Sequence, residues 1–156
     1  MKTTTTTLAL LLSLVASPMV AFACSQPDAP TFVQNLDGAS HVYVFRLMSL
    51  EVADGEPWYS TLSGRITVVR TLKGGMPKAS DVTYSIGCCN PQLSVGHYYL
   101  AAVSNDATVL ELVPGDQSVI IVRDDFAAKG GPGKTGAIQP VPDHLAGQPL
   151  PQGFPA

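Results

Sequence analysis

The sequence predicts an all-β fold, a small barrel or sandwich of five to six strands with one short N-terminal helix. Runs of Val, Ile, Tyr and Phe alternate with Gly-, Pro- and Asp-rich turns at the spacing of a small β domain. The runs at 41–52 and 58–72 are long enough to bend and serve two sheets, which favours a barrel. A helical pattern occurs in one short segment, ahead of the first strand.

The helix is predicted over residues 28–36. Asp28 is placed to cap it, and Pro30 suits the first turn. Phe32, Val33 and Leu36 fall on one predicted helical face.

The strands follow from alternation and β-branched content. On the second strand Ile66, Val68 and Leu72 share one predicted face with Arg70, so we expect Arg70 near an open end of the barrel. The predicted strands span residues 41–52, 58–72, 82–86, 97–104, 108–113 and 118–123.

The first 23 residues have the parts of a secretory signal. Met1-Lys2 is the positive start, Leu8–Val15 is the apolar stretch, and Ala21-Phe22-Ala23 is a small-x-small cleavage site. The apolar stretch is shorter than the roughly 20 residues of a spanning helix, so we expect no transmembrane span. Cleavage would make Cys24 the first mature residue and leave 133 of the 156 residues.

Composition divides the rest of the chain into two parts. Residues 24–125 have the β pattern and the length of one domain. Residues 126–156 are rich in Gly and Pro, and large apolar side chains are few, so we predict a disordered tail.

Charge and motifs exclude some functions. The net charge is −3 and no basic cluster occurs, which argues against nucleic-acid binding. No nucleophile elbow and no paired carboxylates stand out, so we expect a protein that is not an enzyme and uses no cofactor.

The three cysteines, Cys24, Cys88 and Cys89, leave several arrangements open. In an oxidising compartment, Cys24 can pair with Cys88 or with Cys89 and tether the N-terminus. Alternatively, Cys88 and Cys89 form a vicinal disulfide. A third alternative is a metal or redox site at Cys88-Cys89 with His97, although the spacing matches no standard zinc pattern.

Several segments resemble bacterial members of the tissue-inhibitor-of-metalloproteinases-like family. They are the Ala-Cys-Ser start at residues 23–25, the strand at 42–46, Ile66–Gly74, Cys88-Cys89 and Leu93–Leu100. The resemblance covers about residues 24–123. It implies the netrin-module fold, a five-stranded barrel of the oligonucleotide/oligosaccharide-binding (OB) type.

The resemblance also implies a function. In the animal inhibitors the amine and carbonyl of the N-terminal cysteine chelate a protease's catalytic zinc, and the next side chain enters the substrate pocket; these roles fall on Cys24 and Ser25. Gln26 stands where the family usually has a cysteine, and no cysteine follows Cys89, so the implied disulfide joins Cys24 to Cys88 or Cys89.

We therefore expect a secreted or periplasmic binding module, similar to a metalloprotease inhibitor, whose partner-binding residues are Cys24 and Ser25. Two alternatives stay open. One is an envelope lipoprotein lipidated at Cys24, for which Ala21 and Phe22 fit the lipobox poorly. The other is a small metal or redox module at Cys88-Cys89.

Overall fold

A curled sheet of seven strands and two short helices make up the part of the chain that the computed structural model describes, residues 29–54, 60–87, 91–122 and 138–155. The all-β class is confirmed. The helices are α1 (Phe32–Gly38) and α2 (Pro140–Leu145). The strands are β1 (His41–Leu47), β2 (Glu51–Asp54), β3 (Thr61–Lys73), β4 (Asp81–Ser85), β5 (Tyr98–Val103), β6 (Val109–Leu112) and β7 (Val119–Val122).

The strand order is β6-β4-β3-β1-β5-β7, and β2 forms a side hairpin with β3. All neighbours are antiparallel except β4 and β6, which run parallel. The 13-residue β3 bends the sheet, because its first half pairs with β4 and its second half with β1. A long strand serving two sheets was expected from the run at 58–72.

The bend requires a glycine at residue 64. A Cβ atom at Gly64 would lie 2.5 Å from the carbonyl oxygen of Ser49 and 2.9 Å from Cδ1 of Leu47. These two residues belong to the end of β1 and the segment that follows it. The close approach of two backbones at this point therefore leaves no space for a side chain.

Strand β1 is buried on both faces and separates two apolar cores. Tyr43, Phe45 and Leu47 point into the concave side of the sheet, where Phe45 stacks on Tyr99 with ring centroids 5.5 Å apart. Val42 and Val44 point to the opposite side and pack under the helices. The inner core also contains Ile66, Val82, Tyr84, Leu93, Leu110, Leu112 and Val119, and the outer core Phe32, Leu36, Val44, Leu100, Val122, Ile138 and Val141.

The C-terminal segment is ordered, so the prediction of a disordered tail is wrong for residues 138–155. Ile138 and Val141 are buried in the outer core, and the ring of Phe154 lies 6.3 Å from that of Phe32. The prediction rested on the average composition of the segment, which is rich in Gly and Pro. A few apolar residues at suitable spacing are nevertheless enough to pack on a sheet face. The rest of the predicted tail, 126–137 and residue 156, lies outside the described residues.

Two predicted boundaries are also wrong. Helix α1 is capped by Thr31 and not by Asp28, which lies outside the described residues: the amide N of Gln34 donates to Thr31 Oγ1 (3.3 Å), and Gln34 Oε1 accepts from the amide N of Thr31 (2.8 Å). This is a capping box. The predicted strand 41–52 is two strands, because the chain leaves β1 after Leu47 and turns before β2.

The expectation that Ile66, Val68 and Leu72 share one face is wrong as well. Ile66 and Val68 belong to the inner core, whereas Leu72 packs against the outer one. The β1–β3 register slips at Val69 and again at Leu72, so β3 holds an extra residue opposite β1 at each point. The first slip exchanges the two faces between Val68 and Leu72. Arg70, opposite Val44, is exposed.

The predicted leader, residues 1–23, lies outside the described residues. Within the ranges that the structure covers, neither helix has the length and apolarity needed to cross a membrane.

Candidate functional site

The site residues predicted from the sequence, Cys24, Ser25, Cys88 and Cys89, lie outside the described residues. The disulfide, the vicinal pair and the metal or redox site therefore stay predictions. The structure does describe the residues at which these segments join the fold, namely Ala29 on one side and Gly87 and Pro91 on the other.

Ala29 lies in the wall of an open cleft of about 930 Å³. Three parts of the fold enclose the cleft. The first is the start of α1, the second is the end of β5 with the loop after it, and the third is β6 with the turn that leads to β7. Their lining residues include Pro30, Gln34, Asn35, Val103, Ser104, Asn105, Val109, Glu111, Val113, Asp116, Gln117 and Ser118.

The turn between β6 and β7 is fixed to β5 by backbone bonds. The amide N of Asp116 donates to the carbonyl of Val113 (2.9 Å), with Gly115 at a φ of 78°. The carboxylate of Asp116 accepts from the amide N of Ser118 (2.5 Å). The carbonyl of Ser118 in turn accepts from the amide N of Ala102 (2.8 Å). The bond from Ala102 to Ser118 therefore attaches this wall of the cleft to β5.

The opposite wall begins at the capped end of α1. The capping box at Thr31 fixes the first turn of the helix, and Gln34 and Asn35 border the cleft from there. Phe32 and Leu36, on the other side of the helix, are buried in the outer core and hold the helix on the sheet.

The ionisable lining of the cleft is acidic. Among its described lining residues the ionisable side chains are Glu111 and Asp116, and no Lys, Arg or His is present. Amide and hydroxyl side chains make up most of the remaining polar lining. Such a wall repels phosphate and other anions and accepts uncharged or cationic groups.

A second, smaller pocket of about 230 Å³ lies where the chain leaves β4 toward Cys88-Cys89. Gly87 and Pro91, which flank the segment 88–90, both line it, together with Leu62. The hydroxyl of Tyr84 donates to the carbonyl of Leu93 (3.3 Å) at its base, and burial raises the pKa of Tyr84. Gly87 and Pro91 therefore lie beside an apolar surface.

A polar cluster lies at another end of the sheet. Lys78 Nζ is 3.0 Å from Asp106 Oδ2, and the amide N of Lys78 donates to Asp106 Oδ1 (2.9 Å). These bonds hold the pKa of Asp106 below its usual value. Burial, with the nearby Asp106 charge, raises the pKa of Tyr43 to about 12, so its phenol stays protonated at neutral pH. The cluster connects two loops and presents no activated nucleophile.

His97, considered as a third ligand beside the cysteines, lies just before β5, where its carbonyl accepts from the amide N of Leu47 (3.1 Å). Across the described ranges, no three His, Cys, Asp or Glu residues lie close enough together to hold a metal ion.

A scan against protein-family models and a search of the curated proteins each find no match to this chain.

Sequence reasoning missed the acidic cleft. Its walls come from separate segments, and residues such as Asn35, Asn105 and Gln117 are unremarkable loop or helix residues in sequence. The Pro-Gly-Asp turn at 114–116 was visible as a turn, but nothing in the sequence indicated that it faces α1.

Proposed function

We propose that this chain is a secreted or periplasmic binding module without enzymatic activity, whose mature N-terminal edge, Cys24 and Ser25, engages a partner protein. The proposed partner class is a zinc metalloprotease. The observation that carries the proposal is the position of Ala29 in the wall of the acidic cleft. The segment bearing Cys24 and Ser25 enters the fold there, so a partner bound at the terminus would also meet the cleft.

Chain geometry supports a tether between the two cysteine segments. Five residue steps separate Cys24 from Ala29, a reach of at most about 18 Å. At the other end, Cys88 directly follows Gly87, close to the end of β4, where Tyr84 pairs with Leu112. The next residue along, Val113, lines the same cleft as Ala29. A disulfide from Cys24 to Cys88 or Cys89 would tether these two segments to each other.

The chemistry of a terminal cysteine supports zinc capping. A catalytic zinc keeps one coordination position open for water or substrate, and an α-amine with its own carbonyl can occupy it as a bidentate group. The α-amine has a pKa of about 7.7–8.0 in peptides, so it loses its proton at low cost on binding a metal. A disulfide at the same residue would reduce the entropy cost of docking.

We infer further that the sheet is an OB-type barrel of the netrin kind. The pairings support this: β1 lies between β3 and β5, and β4 runs parallel to β6, as in a five-stranded Greek-key barrel. In this interpretation β2, which forms a hairpin with β3, is an addition to the five-stranded barrel. Strand β7 follows the turn at 114–116 and pairs with β5.

The proposal is tested by adding one alanine before Cys24. The mature protein, residues 24–156, and the extended protein are assayed against a panel of zinc endopeptidases. The mature form should inhibit at least one protease, and the extended form should lose that inhibition while keeping its melting temperature. Inhibition that survives the extension, or a panel in which no protease is inhibited, would contradict zinc capping by Cys24.

A further inference from the structure

The acidic cleft contains the edge of a β-strand. Within the described part of the chain, β6 pairs with β4 on one side, and no strand pairs with its other side. Val109, Leu110 and Glu111 all line the cleft, so the unpaired side of the strand faces it. An edge of this kind presents backbone N–H and C=O groups that can pair with an added strand.

The dimensions of the cleft suit an extended peptide. Strand β6 has four residues, which corresponds to about 13 Å of extended chain. The volume of about 930 Å³ is enough for a short segment with its side chains. Asn35 lines the cleft from α1, where its side-chain amide can bond an added backbone.

Charge decides which peptide fits. Glu111 is exposed on β6, Asp116 lies on the neighbouring turn, and no cationic side chain is present among the described lining residues. An extended segment places alternate side chains on one face, so a Lys or Arg on the face toward Glu111 lies beside that carboxylate. An acidic segment would place like charge beside Glu111.

We propose that the cleft binds an extended, Lys- or Arg-bearing segment of a partner protein, which adds to β6 as a further strand and directs a cationic side chain toward Glu111. The inference rests on the proposed function for the existence of a protein partner, and it names the chemistry of the segment that such a partner would present beside the N-terminal edge.

Other occupants fit the cleft less well. The acidic lining opposes nucleic acids, which bind through cationic neutralisation of phosphates. The described lining residues include no Trp, Tyr or Phe on which a sugar or a base could stack. Val113, 61% exposed, and other aliphatic lining residues such as Val103 and Val109 add apolar contacts without offering a flat stacking surface. An extended peptide with a cationic side chain can contact both the unpaired edge of β6 and the carboxylate of Glu111, which these other ligands do not.

The test uses the mature protein and an acetylated, amidated octapeptide of alternating Lys and Thr. Two matched probes accompany it: the same peptide with Glu in place of Lys, and the Lys peptide N-methylated at alternate residues. Amide chemical shifts and amide hydrogen exchange are followed by NMR. The Lys peptide should shift amides of Val109–Glu111 and slow exchange at the outward-facing ones. The Glu peptide should not bind, and N-methylation should abolish binding.

A matched pair of variants tests the charge. Glu111→Gln should weaken binding of the Lys peptide about 1.4- to 5-fold, the range of exposed ion pairs. Glu51→Gln removes the same charge from β2, outside the cleft, and should leave binding unchanged. Equal binding of the N-methylated peptide, equal loss in both variants, or no binding of the Lys peptide would overturn the inference.

The two proposals fail separately. Peptide binding at β6 with no protease inhibited retains the strand site and contradicts zinc capping. Inhibition that depends on a free Cys24 amine, with no peptide effect at β6, retains zinc capping and overturns the strand site. A peptide whose shifts map to a surface other than the cleft also overturns it.

Discussion

His144 Nε2 lies 2.7 Å from Asp37 Oδ1, and this contact joins α2 to the end of α1. The other ring nitrogen, Nδ1, lies 3.0 Å from the carbonyl oxygen of Gln148. Both neighbours are acceptors, so the doubly protonated ring satisfies both contacts by donating from each nitrogen. The C-terminal segment is therefore attached to α1 by apolar packing and by a hydrogen bond that becomes an ion pair when His144 is protonated.

This contact predicts a pH-dependent stability. The bond to Asp37, with the Gln148 carbonyl, raises the pKa of His144 above its ordinary value of 6.5. A raised folded-state pKa gives stability that is fully present below about pH 6.5 and is lost as the pH rises through the folded value. We expect the melting temperature to fall between about pH 6 and 8 by a few degrees, the scale of an exposed ion pair of up to about 1 kcal/mol.

Asp37→Asn is the control for this prediction, because it removes the charge and keeps the side-chain shape. Its melting temperature should change less across the same pH range. An identical decline in the variant and the natural protein would assign the pH dependence to other groups.

The packing of the C-terminal segment predicts a large effect of Ile138→Ala. Ile138 is 2% exposed in the outer core, so its truncation should destabilise the protein by about 2–5 kcal/mol. Denaturant unfolding of the mature protein measures the change. Ile121→Ala is the matched control, since Ile121 is 60% exposed and should cost much less. Equal, small effects of the two substitutions would mean that the segment does not dock on the sheet.

The bend of β3 predicts that Gly64→Ala destabilises the fold. A methyl group there would lie 2.5 Å from the Ser49 carbonyl oxygen, so the backbone must shift, at a cost of about 1–3 kcal/mol. Gly75→Ala is the control, because nothing lies within 4 Å of a Cβ at Gly75. The melting temperatures of the two variants measure the difference. A Gly64→Ala variant as stable as Gly75→Ala would contradict the close approach of the two backbones.

The N-cap of α1 predicts a smaller loss of stability when Thr31 is replaced. Thr31→Ala removes the oxygen that accepts from the amide N of Gln34, and such a loss costs about 1 kcal/mol. Thr31→Ser keeps the oxygen and should retain most of the stability in the same unfolding measurement. A Thr31→Ala variant as stable as Thr31→Ser would contradict a contribution from the cap.

Much of the β architecture was predictable from sequence, because runs of β-branched and aromatic residues between turn residues are a local signal of strands. Each predicted strand segment contains a strand, and the turn at 114–116 is where it was expected. The split of 41–52 and the register slips opposite β1 depend on contacts with β3, and no local pattern encodes them.

The ordered C-terminal segment and the cleft were missed for a related reason. Ile138 and Val141 are sparse in a Gly- and Pro-rich stretch, and their burial depends on an outer sheet face that the sequence does not reveal. The cleft depends on the placement of Glu111 and Asp116 opposite α1, which follows from topology.

The most direct test of the central claim is the intact mass of the protein isolated from its native compartment, before and after reduction and alkylation. The account predicts the mass of residues 24–156 with one disulfide and one alkylatable thiol, and hence a free amine on Cys24. A mass raised by diacylglyceryl and acyl groups, or one that retains residues 1–23, would contradict it.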